Sequence, residues 1–86
     1  MTKLTEEQEQ LIYADPLEVN LILEYGSPGG EGKVSTVANS RKYIDAGLAT
    51  STPFGNGYNS WVRLWCTQTL LDAESLVQTA EALQRS

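Results

Sequence analysis

The two ends of the chain carry patterns that predict helices. Residues 5–8, Thr-Glu-Glu-Gln, have the spacing of a capping box, and the glutamates suit the positive end of a helix dipole. We expect a helix over about residues 5–14, ended by the Asp15-Pro16 pair, because the residue before a proline is pushed out of helical geometry. Near the other end, Asp72 can cap a helix. The residues that follow it place a continuous apolar stripe on one helix face: Ala73, Leu76, Val77, Ala80 and Leu83.

Two segments alternate between side-chain types with a period of two, which is typical of strands. In residues 17–25 the odd positions are all apolar, while the even positions are mostly polar. We predict the first strand there. Residues 60–67 alternate as well, but they carry apolar groups on both faces. One face would hold Val62, Leu64 and Cys66, and the other would hold Trp61, Arg63 and Trp65.

The segments between these elements are less regular. Residues 26–32 and 52–59 are rich in glycine, proline and asparagine, so we expect turns or loops there. Residues 33–51 fit both the period of a strand and the period of a helix. Val34, Thr36, Ile44 and Leu48 share one side of a strand, whereas a helix would give a broken apolar stripe. We favour a strand or a bent pair of strands, with a helix as the alternative.

The predicted order is helix, strand, strand, strand, helix in one domain spanning residues 1–86. This order indicates an α+β fold with an antiparallel sheet that the C-terminal helix covers on one face. The apolar side of the first strand fixes which face that is, and it places Leu64 and its neighbours under the helix. The second face then holds Glu18, Glu24 and the two tryptophans, with Arg63 paired to a glutamate across strands.

Trp61, Arg63 and Trp65 have two interpretations. Tryptophan and arginine are enriched at binding hot spots, so the three side chains could form a partner surface or a homodimer surface. They could instead be ordinary core under the first helix or a long loop. The first helix offers few aliphatic contacts for this purpose, namely Leu4, Leu11 and Ile12.

The net charge of −5 is unevenly spread. Residues 1–31 carry seven carboxylates against one lysine, whereas residues 32–71 carry four basic residues against one acidic residue. No basic stripe is present, so we predict no direct binding to nucleic acid. The acidic segment either keeps a small domain soluble or steers association with a basic partner. Its candidate contact residues are Glu6, Glu7, Glu9, Glu18 and Glu24.

The chain offers few groups for catalysis. It contains no histidine, which removes the commonest general base and the commonest transition-metal ligand. Its one cysteine, Cys66, lacks a histidine to activate it and alternates onto the core side of its strand. Residues 27–34 keep two of the four fixed positions of a phosphate-binding loop. We therefore predict no catalytic residues, no metal site and no cofactor.

Two functions of different classes fit these observations. The first is a small acidic, non-enzymatic protein-binding module, an inhibitor or blocking factor of the phage counter-defence, antitoxin-like or immunity-like kind. Its target would be a basic protein, such as one that itself binds nucleic acid. The second is a small-ligand or nucleotide-binding protein. In it, Trp61, Trp65 and Tyr58 stack on a ring of the ligand, and Lys33 or Arg63 forms an ion pair with the charged group of the ligand. We favour the first. With neither a leader pattern nor a long apolar run, we expect no membrane span and a cytoplasmic protein.

Overall fold

The computed structural model describes residues 3–54 and 60–85, which form an α+β domain. The elements in chain order are α1 (Glu6–Ala14), α2 (Pro16–Tyr25), β1 (Lys33–Thr36), α3 (Val37–Asp45), β2 (Ala49–Pro53), β3 (Trp61–Cys66), α4 (Gln68–Asp72) and α5 (Glu74–Arg85). The predicted fold class and the three-stranded antiparallel sheet are confirmed. The identity of the first strand and the number of helices differ from the prediction.

Helix α1 has the predicted bounds and the predicted capping box. The backbone N–H of Gln8 donates to Thr5 Oγ1 at 3.1 Å, and the backbone N–H of Thr5 donates to Gln8 Oε1 at 2.9 Å. Two backbone donors that lack partners inside the helix are satisfied in this way. The side chain of Gln8 also donates to the carbonyl of Ala46 at 2.7 Å, which ties α1 to the end of α3.

The strand predicted at residues 17–25 is wrong, because this segment is helix α2. Asp15 caps it, with Oδ1 accepting from the backbone N–H of Glu18 at 3.2 Å, and Pro16 takes the first helical position. Proline is favoured there because the missing N–H would have no partner inside the helix. The buried side chains of α2 follow helical spacing: Pro16, Val19, Ile22 and Leu23. Leu17 and Tyr25, which the alternation placed in the core, are exposed.

The ambiguous segment 33–51 contains both kinds of structure. The expected pair of strands is present as β1 and β2, but α3 lies between them. Thr36 ends β1 and caps α3, with Oγ1 accepting from the backbone N–H of Asn39 at 3.0 Å. The turn predicted at residues 52–59 lies partly outside the described residues. Within them, Thr52 and Pro53 belong to β2.

The C-terminal helix is divided into α4 and α5, and its predicted cap is wrong. Thr67 caps α4, whereas Asp72 is the last residue of α4 and accepts from the side chain of Gln68 at 2.9 Å. Helix α4 contacts β3, and α5 packs mainly on α2. The helical cover of the sheet is therefore built from several helices.

The sheet has the order β1-β3-β2 with antiparallel pairing throughout, so β3 is central. Leu64 of β3 is fully buried, and Val62 and Cys66 pack on the same core, as predicted. Each of the five described helices contributes to that core: Ile12, Val19, Ile22, Leu23, Tyr43, Leu70, Val77 and Ala80. The described helices therefore form one layer on the Leu64 side of the sheet.

Gly26 joins this helical layer to the central strand. Its carbonyl accepts from the backbone N–H of Cys66 at 3.0 Å. A Cβ at this position would lie 2.6 Å from the carbonyl oxygen of Ile22 and 2.8 Å from that of Leu64. Glycine is needed here because the end of α2 approaches the backbone of β3 so closely.

Candidate functional site

The outer face of the sheet is the side opposite the helical layer, and we define it by Val34, Thr36, Thr50, Thr52, Trp61, Arg63 and Trp65. The register places these residues together: Arg63 stands opposite Val34 and Thr52, Trp61 stands opposite Thr36, and Trp65 stands opposite Thr50. Residues directly opposite each other in an antiparallel sheet project to the same side. The predicted grouping of Trp61, Arg63 and Trp65 on one face follows from this register.

The described helices leave the outer face open, and its side chains differ in exposure. Trp61 is 48% exposed, and Val34, Thr50 and Thr52 are exposed as well. Trp65 and Arg63 are partly buried. Trp61 is therefore the aromatic side chain on this face that an approaching molecule reaches most fully.

Local contacts hold Arg63 in place. Its guanidinium donates to the carbonyl of Glu31 at 2.7 Å and lies 4.8 Å from the centre of the Phe54 ring. The predicted pairing with Glu18 or Glu24 across strands is wrong, because both glutamates belong to α2 in the helical layer. Glu18 instead forms an ion pair with Lys33 at 3.4 Å. A fixed guanidinium costs less side-chain entropy when it binds a partner.

Trp65 is supported from two sides. Its indole Nε1 donates to Thr52 Oγ1 at 2.9 Å, which links β3 to β2 on the outer face. The backbone of Gly32 lies against the indole, since a Cβ there would stand 3.2 Å from the ring. Gly32 also has a φ of 87°, which other residues rarely adopt. Trp65 is thus partly a structural residue, whereas Trp61 is not held by a comparable hydrogen bond among those described.

The predicted acidic contacts lie in the helical layer and not on the outer face. Glu6, Glu7 and Glu9 are exposed in the first turn of α1, and Glu24 is exposed on α2. Within residues 3–54 and 60–85, two carboxylates form ion pairs, namely Glu18 with Lys33 and Glu81 with Arg85. The predicted site residues therefore form two separate groups, an aromatic one and an acidic one.

A polar cavity that the sequence did not suggest lies along the free edge of β1. Its volume is about 370 Å³, and it is lined by the first turn of α2, by β1, by α3 and by Trp61 of β3. Its lining is Asp15, Glu18, Lys33, Val34, Ser35, Thr36, Asn39, Lys42, Tyr43 and Trp61. The helix-start signals at Asp15-Pro16 and at Thr36 could have indicated two helix N-termini here. Their convergence depends on the tertiary fold.

Tyr43 is the most unusual residue of this cavity. Its side chain is buried, with 2% of its surface exposed, and its hydroxyl has no hydrogen-bond partner in the described structure. Burial, together with the charges of Asp15 and Glu18, raises the pKa of Tyr43 to about 12. The Nζ atom of Lys42 lies 5.2 Å from the centre of the ring, within range of a cation–π contact. The hydroxyl is therefore held in its protonated form.

Other reactive groups are sparse in the described residues. Burial raises the pKa of the Cys66 thiol, which donates to the carbonyl of Gly26 at 3.3 Å. Residues 3–54 and 60–85 contain no cluster of three or more acidic or cysteine side chains able to hold a metal ion. Their helices are all too short or too polar to cross a membrane. Tyr58, a candidate for ring stacking, lies outside the described residues.

No family model, curated protein or solved structure matches this chain.

Proposed function

We propose that the protein is a non-enzymatic binding module that docks on a basic partner protein through the outer face of its sheet. One observation carries this proposal: a sheet whose described helices all lie on one side presents Trp61, Arg63 and Trp65 on the other. Large aromatic residues and arginine supply most of the binding energy at typical interfaces.

Neighbouring residues hold two of these side chains in place. This favours a role in binding a partner over exposure without a function. Arg63 is fixed by Glu31 and Phe54, and Trp65 is fixed by Thr52. Pre-organised anchors lose little freedom on binding, so more of their contact energy appears as affinity. Trp61 stands beside these fixed groups as the exposed aromatic anchor. The threonine hydroxyls of β1 and β2 can supply a polar rim.

The partner is expected to be basic because the unpaired charges of this chain are mostly acidic. Glu6, Glu7, Glu9 and Glu24 are exposed and form no ion pair among the described residues. They belong to α1 and α2 and not to the outer face, so their proposed role is to steer the encounter. A protein that occupies a basic, nucleic-acid-binding groove would act as an inhibitor in the cytoplasm. Antitoxin-like, immunity-like and phage counter-defence factors are the classes that fit.

The test compares two variants that remove equally exposed aromatic residues. Trp61→Ala removes the anchor on the outer face, whereas Tyr13→Ala removes a side chain of α1 that is 50% exposed and lies in the helical layer. Tagged wild-type protein and both variants are used to capture partners from the native host lysate, and each captured protein is then titrated in purified form. We expect a basic partner that keeps its affinity for Tyr13→Ala. Its affinity for Trp61→Ala should fall by roughly 30-fold or more, as for a hot-spot residue.

Three outcomes would overturn the proposal. Captured proteins that are acidic would remove the charge argument. Equal affinity of both variants would show that the outer face is not the docking surface. Self-association of the wild type, seen by sedimentation velocity and lost in Trp61→Ala, would assign the face to a homodimer instead.

A further inference from the structure

Arg63 is the one charged residue in the set that defines the outer face, whose other members are a valine, threonines and tryptophans. The two ion pairs of the described residues lie elsewhere, so no described carboxylate neutralises this guanidinium. Its contact with Glu31 is made to the backbone carbonyl and not to the side chain. The outer face therefore carries a positive charge that the described part of the fold leaves unpaired.

The guanidinium of Arg63 keeps most of its hydrogen-bonding capacity for other groups. An arginine side chain has five N–H donors. Within the described residues one of them is used, by Nη1 on the carbonyl of Glu31 at 2.7 Å, and the Phe54 ring lies 4.8 Å from Cζ. The residue is partly exposed. Water can satisfy the remaining donors in the free protein, but a bound partner has to supply acceptors in its place.

Covering the outer face makes this requirement strict. Arg63 lies between Trp61 and Trp65 on the same side of β3, so a partner that buries the indoles also removes water from the guanidinium. A charge buried without an opposite charge and hydrogen bonds is costly. A carboxylate meets both needs, because its two oxygens match two N–H groups of the planar fork. A neutral acceptor would leave the charge uncompensated.

This inference rests on the proposed docking at the outer face and names the chemistry of the contact. We propose that the partner protein places an aspartate or glutamate carboxylate on Arg63, within the apolar surface that receives Trp61. The phosphate of a nucleic acid also matches a guanidinium, but the net charge of −5 opposes the approach of a polyanion. The carboxylate is a local feature of a partner that is basic overall.

One substitution separates this contact from steering by net charge. Arg63→Gln makes the chain more acidic, so steering alone predicts equal or tighter binding to a basic partner. Loss of a carboxylate contact predicts weaker binding. The matched control is Arg41→Gln, which makes the same charge change at an exposed arginine of α3 that has no ion pair among the described residues. The two explanations therefore predict opposite signs for Arg63→Gln.

The first measurement uses the chain alone and benzoate as the probe, since benzoate joins a carboxylate to an apolar ring. Chemical shifts are followed by two-dimensional NMR at constant ionic strength, with benzoate up to about 50 mM to reach a site of millimolar affinity. Benzamide is the neutral control of the same shape, and inorganic phosphate is the alternative anion. We expect saturable shifts at Arg63 and Trp61 in the wild type and in Arg41→Gln. Benzamide, and benzoate with Arg63→Gln, should bind at least about tenfold more weakly.

The second measurement uses the basic partner purified in the capture experiment. We expect Arg63→Gln to lower its affinity by roughly 30-fold or more, and Arg41→Gln to leave the affinity equal or higher. Each acidic residue of the partner is then changed to its amide. One of these changes should weaken binding to the wild type but cause little further loss with Arg63→Gln, which is the sign of a direct contact. Arg63→Lys keeps the charge without the fork and should lose less than Arg63→Gln.

Several results would overturn this contact. Wild-type protein that gives no shifts with benzoate would not accept a carboxylate there, and tighter binding of phosphate than of benzoate would assign Arg63 to a phosphate group. Unchanged or tighter binding of the partner to Arg63→Gln would leave steering as the sufficient explanation. If Trp61→Ala weakens binding and Arg63→Gln does not, docking at the outer face stands and this inference fails. If Trp61→Ala binds as well as the wild type, the docking proposal itself fails.

Discussion

Tyr43 is the residue whose environment has the clearest consequence for stability. Its pKa is about 12 in the folded chain, against an ordinary value of 10.0. Between these values the unfolded chain releases the hydroxyl proton while the folded chain keeps it, so the free energy of unfolding falls as pH rises. The contribution is fully present below about pH 10. Two pKa units correspond to about 3 kcal/mol, lost by about pH 12.

The measurement is urea unfolding of the wild type and of Tyr43→Phe at a series of pH values from neutral to about 12. Other groups also titrate in the alkaline range, so the difference between the two proteins isolates Tyr43. We expect the wild type to lose more stability than the variant as the solution becomes alkaline. Parallel curves would show that the hydroxyl is not buried as described.

At the scale of elements, helix α2 shows why part of the fold was not predicted. Its sequence fits both the alternation of a strand and the spacing of a helix. Val19 and Leu23 belong to the alternating apolar set and also to the buried face of the helix. Ile22 distinguishes the strand from the helix. A strand would place it on the same face as the glutamates, whereas the helix buries it completely. As a sequence signal, the Asp15-Pro16 pair predicts the end of α1. It is also the start of α2, with cap and proline in favoured positions.

Other elements and the site differ in how far local sequence determines them. The bounds of α1 and the inward face of β3 were predicted correctly, because a capping box and an apolar alternation are local signals. The outer-face group of Trp61, Arg63 and Trp65 followed from the same alternation. The cavity could not be predicted, since it is lined by residues from Asp15 to Trp61 that only the tertiary fold brings together.

Two leucine-sized truncations test the helical assignment of α2. Ile22→Ala removes a fully buried side chain, whereas Leu17→Ala removes one that is 47% exposed. We expect Ile22→Ala to lower the free energy of unfolding by about 2–5 kcal/mol, and Leu17→Ala to change it by less than about 0.5 kcal/mol. Urea midpoints of both variants provide the comparison. The opposite ranking would be the result of a strand with Leu17 inside and would contradict the helix.

At the scale of the whole molecule, the proposed function gives the aromatic group and the acidic group different parts in recognition. The chain measures 39 × 28 × 24 Å overall, and screening at physiological salt acts over about 8 Å. Under that proposal, carboxylates in the helical layer would influence the approach of a basic partner more than the final contact. Rates of association should depend on them, while rates of dissociation should depend on the outer face.

Stopped-flow association measurements at several salt concentrations can separate these effects. Glu24→Lys reverses an exposed charge on α2 without disturbing the Glu18–Lys33 ion pair. We expect a slower association rate for the variant at low salt, a smaller salt dependence than for the wild type, and little change in dissociation. Association that is indifferent to both salt and charge reversal would leave the acidic residues with a role in solubility alone.

The most direct test of the central claim is the solvent exposure of Trp61 with and without the partner. The chain has two tryptophans, so a Trp65→Phe variant leaves Trp61 as the one indole that reports. Acrylamide quenching of its fluorescence should be strong in the free protein, because the side chain is 48% exposed. On binding of the basic partner, the account predicts a sharp fall in quenching and a blue shift of the emission, since the indole becomes buried at the interface. Saturated binding with unchanged quenching would contradict the account, because the partner would then be docked elsewhere.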